Sequence, residues 1–196
     1  MKKITLLFII IIFSLSTNLF ADGTIKVKRI FEGKENAKIT IITYESLTCS
    51  HCASFHKDVY PQLKKEFIDT GLVKIEFRHF PLDLAALNAS KIAQCNNDGK
   101  SNLLHLLYSN QLKWAKGETV ELANSHLKKL LKDNNVSLDF EKCTNDKNIE
   151  DYILNDRIEG VKKFKVNATP TIIINEEKFE KALNYKNLKK YLEKLI

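Results

Sequence analysis

Between Lys38 and Glu45 the chain runs Ile39-Thr40-Ile41-Ile42-Thr43-Tyr44, a stretch of β-branched and aromatic residues without the polar alternation of a half-exposed strand. Such a run reads as a strand buried on both faces, and a strand of that kind needs a sheet covered on both sides by helices. It ends just before Cys49-Ser50-His51-Cys52, and from Ala53 to Phe67 the pattern turns helical. Pro61 falls inside that helix and should kink or split it, because proline lacks the N–H that an inner turn needs.

Around this unit, other segments fall into place. Ile25, Val27 and Ile30 alternate and predict a strand over Thr24 to Arg29. Val73 to Phe77 predicts a third strand, leading to Phe80-Pro81-Leu82. From Asp83 to Lys165 the strand signal disappears. Leu103, Leu107 and Trp114 share one helical stripe, Val120, Ala123, Leu127, Leu130 and Leu131 a second, and Leu154, Ile158 and Val161 a third. Strand chemistry returns at Thr171 to Ile174, with a short partner around Phe179. Asn184 then caps a last helix striped by Leu188, Tyr191, Leu192 and Leu195. The order predicts an α/β fold: a mixed sheet with helices on its faces and a helical insertion within it.

The N-terminus bears on compartment. Lys2 and Lys3 precede an apolar run from Ile4 to Phe13, and Ala21 is a suitable residue before cleavage, so residues 1–21 read as a secretory signal peptide. Its apolar run is shorter than the roughly 20 residues of a spanning helix. Cleavage leaves about 175 residues, one domain's worth. The formal net charge of +7 is spread along the chain without an arginine cluster or basic block, which gives no support to nucleic-acid binding. Export places the four cysteines, Cys49, Cys52, Cys95 and Cys143, where disulfides form and persist.

Only Cys49 and Cys52 are adjacent in sequence. A cysteine attacks as its thiolate, and the first turn of a helix offers the sulfur unpaired amides and the positive end of the helix dipole. Cys49 stands where strand gives way to helix. With an ordinary pKa of about 8.5 only a few per cent is ionised at pH 7, whereas helix-start cysteines with basic neighbours fall to roughly 3.5 to 7.5. His51 is the basic neighbour here, and stabilising the thiolate makes the disulfide more oxidising. Cys52, one turn further in, is the partner that closes the ring. The alternative is a metal site formed by Cys49, Cys52 and His56, but no second Cys-x-x-Cys or His-x-His completes four ligands. Otherwise His56 reads as a surface or packing residue, and His79, His105 and His126 as satisfied or solvated side chains in no useful grouping.

Three separated motifs together resemble the DsbA-like thiol:disulfide oxidoreductases of bacterial cell envelopes: Tyr44 to His56 around the cysteines, Phe80-Pro81-Leu82, and Val166-Asn167-Ala168-Thr169-Pro170-Thr171. The resemblance implies a thioredoxin fold made of residues 22–82 and 166–196, with residues 83–165 as its helical insertion. It implies that Cys49 is the attacking thiol and Cys52 its partner. Pro170 is then the cis-proline facing them, and Thr169 offers its backbone to an extended substrate segment. It further implies reduced or unfolded exported proteins as substrates, a DsbB-like membrane quinone reductase as reoxidant, a periplasmic location and no cofactor. Only residues 22 to about 36 precede the buried strand, too few for the separate association domain of dimeric isomerases, which favours a monomer. A disulfide reductase or isomerase is the alternative within the same chemistry.

Two departures from the family stand out. Where members often carry a buried acid six residues before the first cysteine, this chain has Thr43, and Glu45 lies two positions later, on the same side of the strand. Between the cysteines stands Ser50-His51 in place of proline-histidine. Cys95 and Cys143 are candidates for a structural disulfide stapling the helical insertion, worth roughly 4 kcal/mol by loop closure. Two buried free thiols, or a redox-regulatory pair, are the alternatives. Trp114, Phe77 and Phe80 read as core.

Overall fold

The computed structural model describes residues 26–117 and 119–196. The leader expected at residues 1–21 lies outside them.

Five strands among the described residues form one sheet: β1 (Ile30–Glu32), β2 (Ile39–Glu45), β3 (Val73–His79), β4 (Thr171–Ile174) and β5 (Glu177–Lys178). Their order is β1-β3-β2-β4-β5. β2 runs parallel to β3, with Ile41 beside Ile75, and antiparallel to β4, with Thr43 beside Ile172. The central position of β2 explains its sequence, since Ile39, Ile41, Thr43 and Tyr44 are all fully buried. The first strand differs from expectation. It begins at Ile30 and pairs Ile30 with Phe77, so none of the described residues of the expected strand, 26–29, belongs to it, and Thr24 and Ile25 lie outside the described residues.

After β2 the chain turns into a rod of four helical segments: α1 (Ser50–Ser54), a wider-turned stretch Phe55–Val59, α2 (Tyr60–Leu63) and a second wide stretch Lys64–Ile68. Tyr60 N–H bonds to Phe55 O, five residues back, in place of the usual four. Pro61 sits in the first turn of α2, where its missing N–H costs nothing, so the rod is split there as its chemistry requires.

Among the described residues six helices separate β3 from β4: α3 (Leu84–Gln94), α4 (Asn102–Ser109), α5 (Gln111–Trp114), α6 (Val120–Asp133), α7 (Phe140–Asn145) and α8 (Lys147–Phe164). A final helix, α9 (Tyr185–Leu192), is capped by Asn184, whose side chain accepts from Asn187 N–H. A disulfide between Cys95 and Cys143 ties the end of α3 to α7 across a Cα–Cα distance of 5.5 Å. Trp114, Leu107 and Phe77 lie in the main core.

The third stripe needs correction. Ile158 and Val161 are 47% and 46% exposed, whereas α8 buries Ile149, Ile153, Asp156, Gly160 and Phe164. Two members of the true face are not hydrophobic, which hid it. Gly160 lies so close to Tyr44 that a Cβ there would meet the ring at 2.7 Å. Asp156 takes both its oxygens to Arg29 at 2.5 and 2.6 Å. No helix of the described residues is long and apolar enough to cross a membrane.

Candidate active site

Cys49 stands at the N-cap of α1, with extended backbone angles, and Cys52 follows one turn later, fully buried. Both carry free thiols. The loop before them is held from several directions. Cys49 N–H bonds to Ser46 O at 3.0 Å. The Gln111 side-chain amide, from the helical insertion, donates to Leu47 O at 2.8 Å and Cys49 O at 2.9 Å. Thr48 Oγ1 donates to Asp83 Oδ2 at 2.7 Å, while Asp83 Oδ1 caps α3 by accepting from Ala86 N–H. Leu82 N–H reaches Ser46 Oγ at 3.3 Å. The segment after Phe80 thus buttresses the loop, and Gln111 and Asp83 are positioning residues that no local motif marks.

Facing Cys49 is the turn into β4. The Thr169–Pro170 peptide is cis. The Cys49 thiol donates to Thr169 O at 3.3 Å, and His51, Ser54, Phe55, Thr169, Pro170 and Tyr185 line a shared groove of about 560 Å³.

The two thiols differ in acidity. Cys49 is lowered to about 5, chiefly by the Cys52 thiol that donates to its sulfur; burial opposes this, and the Thr169 side chain and the backbone amides of Cys52 and His51 lower it further. Cys52 is raised, first by burial, then by its bond to Cys49 and by the negative charge of Glu45. His51 enters this balance through its backbone amide, and its exposed side chain lies along the groove.

Behind Cys52 lies a polar cluster that the sequence reading did not assemble. Glu45, 3% exposed, accepts from His56 Nε2 at 2.7 Å. His56 Nδ1 meets His105 Nδ1 at 3.1 Å, and His105 Nε2 reaches Glu32 Oε1 at 2.7 Å. The Tyr108 ring stacks on His56 with centroids 3.9 Å apart, and Tyr60 stacks on His105 at 4.5 Å. Of the surface and packing readings of His56, packing is the one the structure supports: its side chain is 5% exposed, and among the described residues no group of three or more His, Cys, Asp or Glu is arranged to hold a metal ion. His105 likewise belongs to a grouping, contrary to the expectation that it stands apart. The one available signal was spacing, since His56 follows Cys52 by four residues and so shares its helix face.

Burial raises the Glu45 pKa most, yet the charge and hydrogen bond of His56 bring it below the ordinary carboxylate value. Thr43 and Tyr108 also act on this carboxylate and lower its pKa further. Glu45 is the buried carboxylate whose negative charge bears on Cys52.

A β-sheet edged by a cis-proline turn, facing a helix-start thiol of lowered pKa with a buried partner, defines a dithiol–disulfide centre of the thioredoxin class. Comparison with known proteins agrees. A family model described as Thioredoxin matches residues 26–194. The crystal structure of alpha-DsbA1 from Wolbachia pipientis is 31% identical, with a TM-score of 0.75 over 85% of this chain and 90% of that one. Disulfide bond formation protein D of Bacillus subtilis is 28% identical over 173 residues, 83% of this chain and 74% of that protein. A putative protein-disulfide oxidoreductase of Rickettsia bellii is 28% identical over 150 residues, and the matched part spans 55% of its length. The chain belongs to the thioredoxin family, among its DsbA-like members.

Proposed function

We propose that this protein is an exported thiol:disulfide oxidoreductase that introduces disulfide bonds into periplasmic proteins through Cys49 and Cys52. The observation that carries the reading is the asymmetry of the pair, with Cys49 held near 5 and Cys52 raised. A stabilised Cys49 thiolate is a good leaving group and lowers the free energy of the reduced form, which makes the disulfide an oxidant.

In the forward reaction a client thiolate attacks Cys49 Sγ of the disulfide, and the S–S bond breaks with its electron pair on Cys52. Cys52 takes up a proton. A second client thiolate then attacks the client sulfur of the mixed disulfide, forming the client's own disulfide and releasing Cys49 as thiolate. Thr169 and Pro170 supply the backbone edge along which an extended client segment lies, as strand addition requires. Leu82, Leu84 and Leu112 are 53%, 63% and 87% exposed, and they flank the residues that hold the Cys49 loop. An apolar rim of this kind suits unfolded chains. Residues 1–21 would direct export, and a DsbB-like quinone reductase would restore the disulfide.

The test is stoichiometric oxidation of a reduced, unfolded secreted protein by the oxidised form. Rapid loss of client thiols, abolished in Cys49→Ala, supports the reading; disulfides that appear no faster than in air contradict it.

A further inference from the structure

We propose that Asp58 makes the protein select clients that carry a lysine or arginine about three to four residues from the cysteine that attacks Cys49. The inference rests on the reading of the pair as an oxidant of client thiols, and it names which clients that oxidant prefers.

One wall of the groove beside Cys49 is a face of the helical rod, on which His51, Phe55 and Asp58 recur at helical spacing. The turn at Thr169 and Pro170 and the segment Leu183 to Tyr185, which leads into α9, complete it. Asp58 is the only acid among the described residues that line this groove. Its backbone carbonyl accepts from Gln62 Nε2, whereas no hydrogen bond or ion pair among the described residues engages its exposed carboxylate. The adjoining turns bring Ser54, Phe55, Pro61 and Gln62 beside it, none of them charged. Lys57, its neighbour in sequence, is turned about 100° round the rod and does not line the groove. In a chain whose formal net charge is +7, this carboxylate is a local exception left without a cation.

Between His51 and Asp58 the groove is largely apolar, since Phe55 and Val59 are buried beneath it and Leu183 and Tyr185 are half-buried along it. The aliphatic stem of a lysine or arginine suits such a surface while its charged head reaches the carboxylate at the end. Apolar surroundings also strengthen the attraction, and they make a client acid at the same place unfavourable. The register follows from the two repeats. At roughly 1.5 Å per residue, Asp58 lies about 10 Å beyond His51 and about 13 Å beyond Cys49 along the rod. An extended client covers that span in about three to four residues, at roughly 3.3 Å each.

The experiment mixes the oxidised protein with reduced peptides that hold a cysteine pair and differ in one residue, lysine or glutamate, at successive positions on either side of the pair. Acid quenching and alkylation give the rate at which the Cys49–Cys52 disulfide is reduced as the peptide disulfide forms. Comparing the ratio of lysine-peptide to glutamate-peptide rates between proteins cancels the effect of a peptide's own charge on its thiol acidity. The wild-type ratio should peak about three to four positions from the cysteine. There it should exceed the ratio in Asp58→Asn about three- to fivefold in about 20 mM salt, the scale of a partly exposed ion pair, and lose that excess by about 0.5 M. Asp58→Lys should reverse the preference. A ratio as high in Asp58→Asn as in wild type, or one that is flat across positions, overturns selection by Asp58 and leaves the oxidant reading standing. Peptides that the wild-type protein does not oxidise at all overturn that reading, and the selection with it.

Discussion

The carboxylate of Glu45 and the imidazole of His56 are joined at 2.7 Å in the interior, with side chains 3% and 5% exposed. The pair lies four residues beyond Cys52 on one element and at the end of the central strand on the other. Its burial next to the redox centre means that neither member can be removed alone without leaving a polar group unpaired.

That gives a stability prediction. His56→Leu should destabilise the fold by roughly 3 to 5 kcal/mol, the usual effect of breaking a buried ion pair from one side. Removing both charges, Glu45→Leu with His56→Leu, should recover a large part of the loss. Urea unfolding of the two single variants and the double variant measures the coupling.

Glu32 makes a pH prediction. Its folded pKa is lowered to about 2 from an ordinary 4.5; burial opposes this, and the bonds from His105, Ser101 and Tyr60 outweigh it. The folded state therefore binds fewer protons there than the unfolded chain. The stabilisation is fully present above pH 4.5 and is lost as pH falls toward about 2. Because Glu32 is partly exposed, roughly 2 kcal/mol is expected. Glu32→Gln should flatten the stability curve in that window, as thermal melts across pH would record.

The acidity of Cys49 is open to direct titration. Alkylation of the reduced protein should follow a single inflection near pH 5, with Cys52 unreactive throughout the neutral range. Since the Cys52 thiol is the largest single contributor, Cys52→Ala should move the inflection upward, by about one pH unit or more. An unchanged inflection would place the stabilisation elsewhere.

Gly160 tests the packing of α8 on the sheet. An alanine Cβ would meet Tyr44 Cε1 at 2.7 Å and Cδ1 at 2.9 Å, and Tyr44 is fully buried against Phe80 and Phe164. The ring has nowhere to retreat, so Gly160→Ala should cost about 1 to 3 kcal/mol in spite of alanine's better helix propensity. Denaturant titration reads this; a stabilised variant would show that the interface gives way.

How legible all this was depends on how local each signal is. The buried strand from Ile39 and the cysteine pair declare themselves within a few residues, because each needs particular residue types at fixed spacing, whereas the Thr169-Pro170 turn was legible only through the resemblance to the DsbA-like family. The helical stripe around Ile158 misled because the face actually buried holds Asp156 and Gly160, whose reasons lie in Arg29 and Tyr44, far away in sequence. The Glu45–His56–His105–Glu32 line could not be read for the same reason. Its members come from β2, the helical rod, α4 and β1, and only folding brings them together. Glu45 was visible in part, through its position two residues after Thr43.

The central claim, that the pair is an oxidant, is tested most directly by its reduction potential. Equilibration in glutathione buffers followed by alkylation of Cys49 should give a value well above about −270 mV, the thioredoxin level, and towards about −120 mV. A potential close to about −270 mV would contradict the account and make the protein a reductant of its clients.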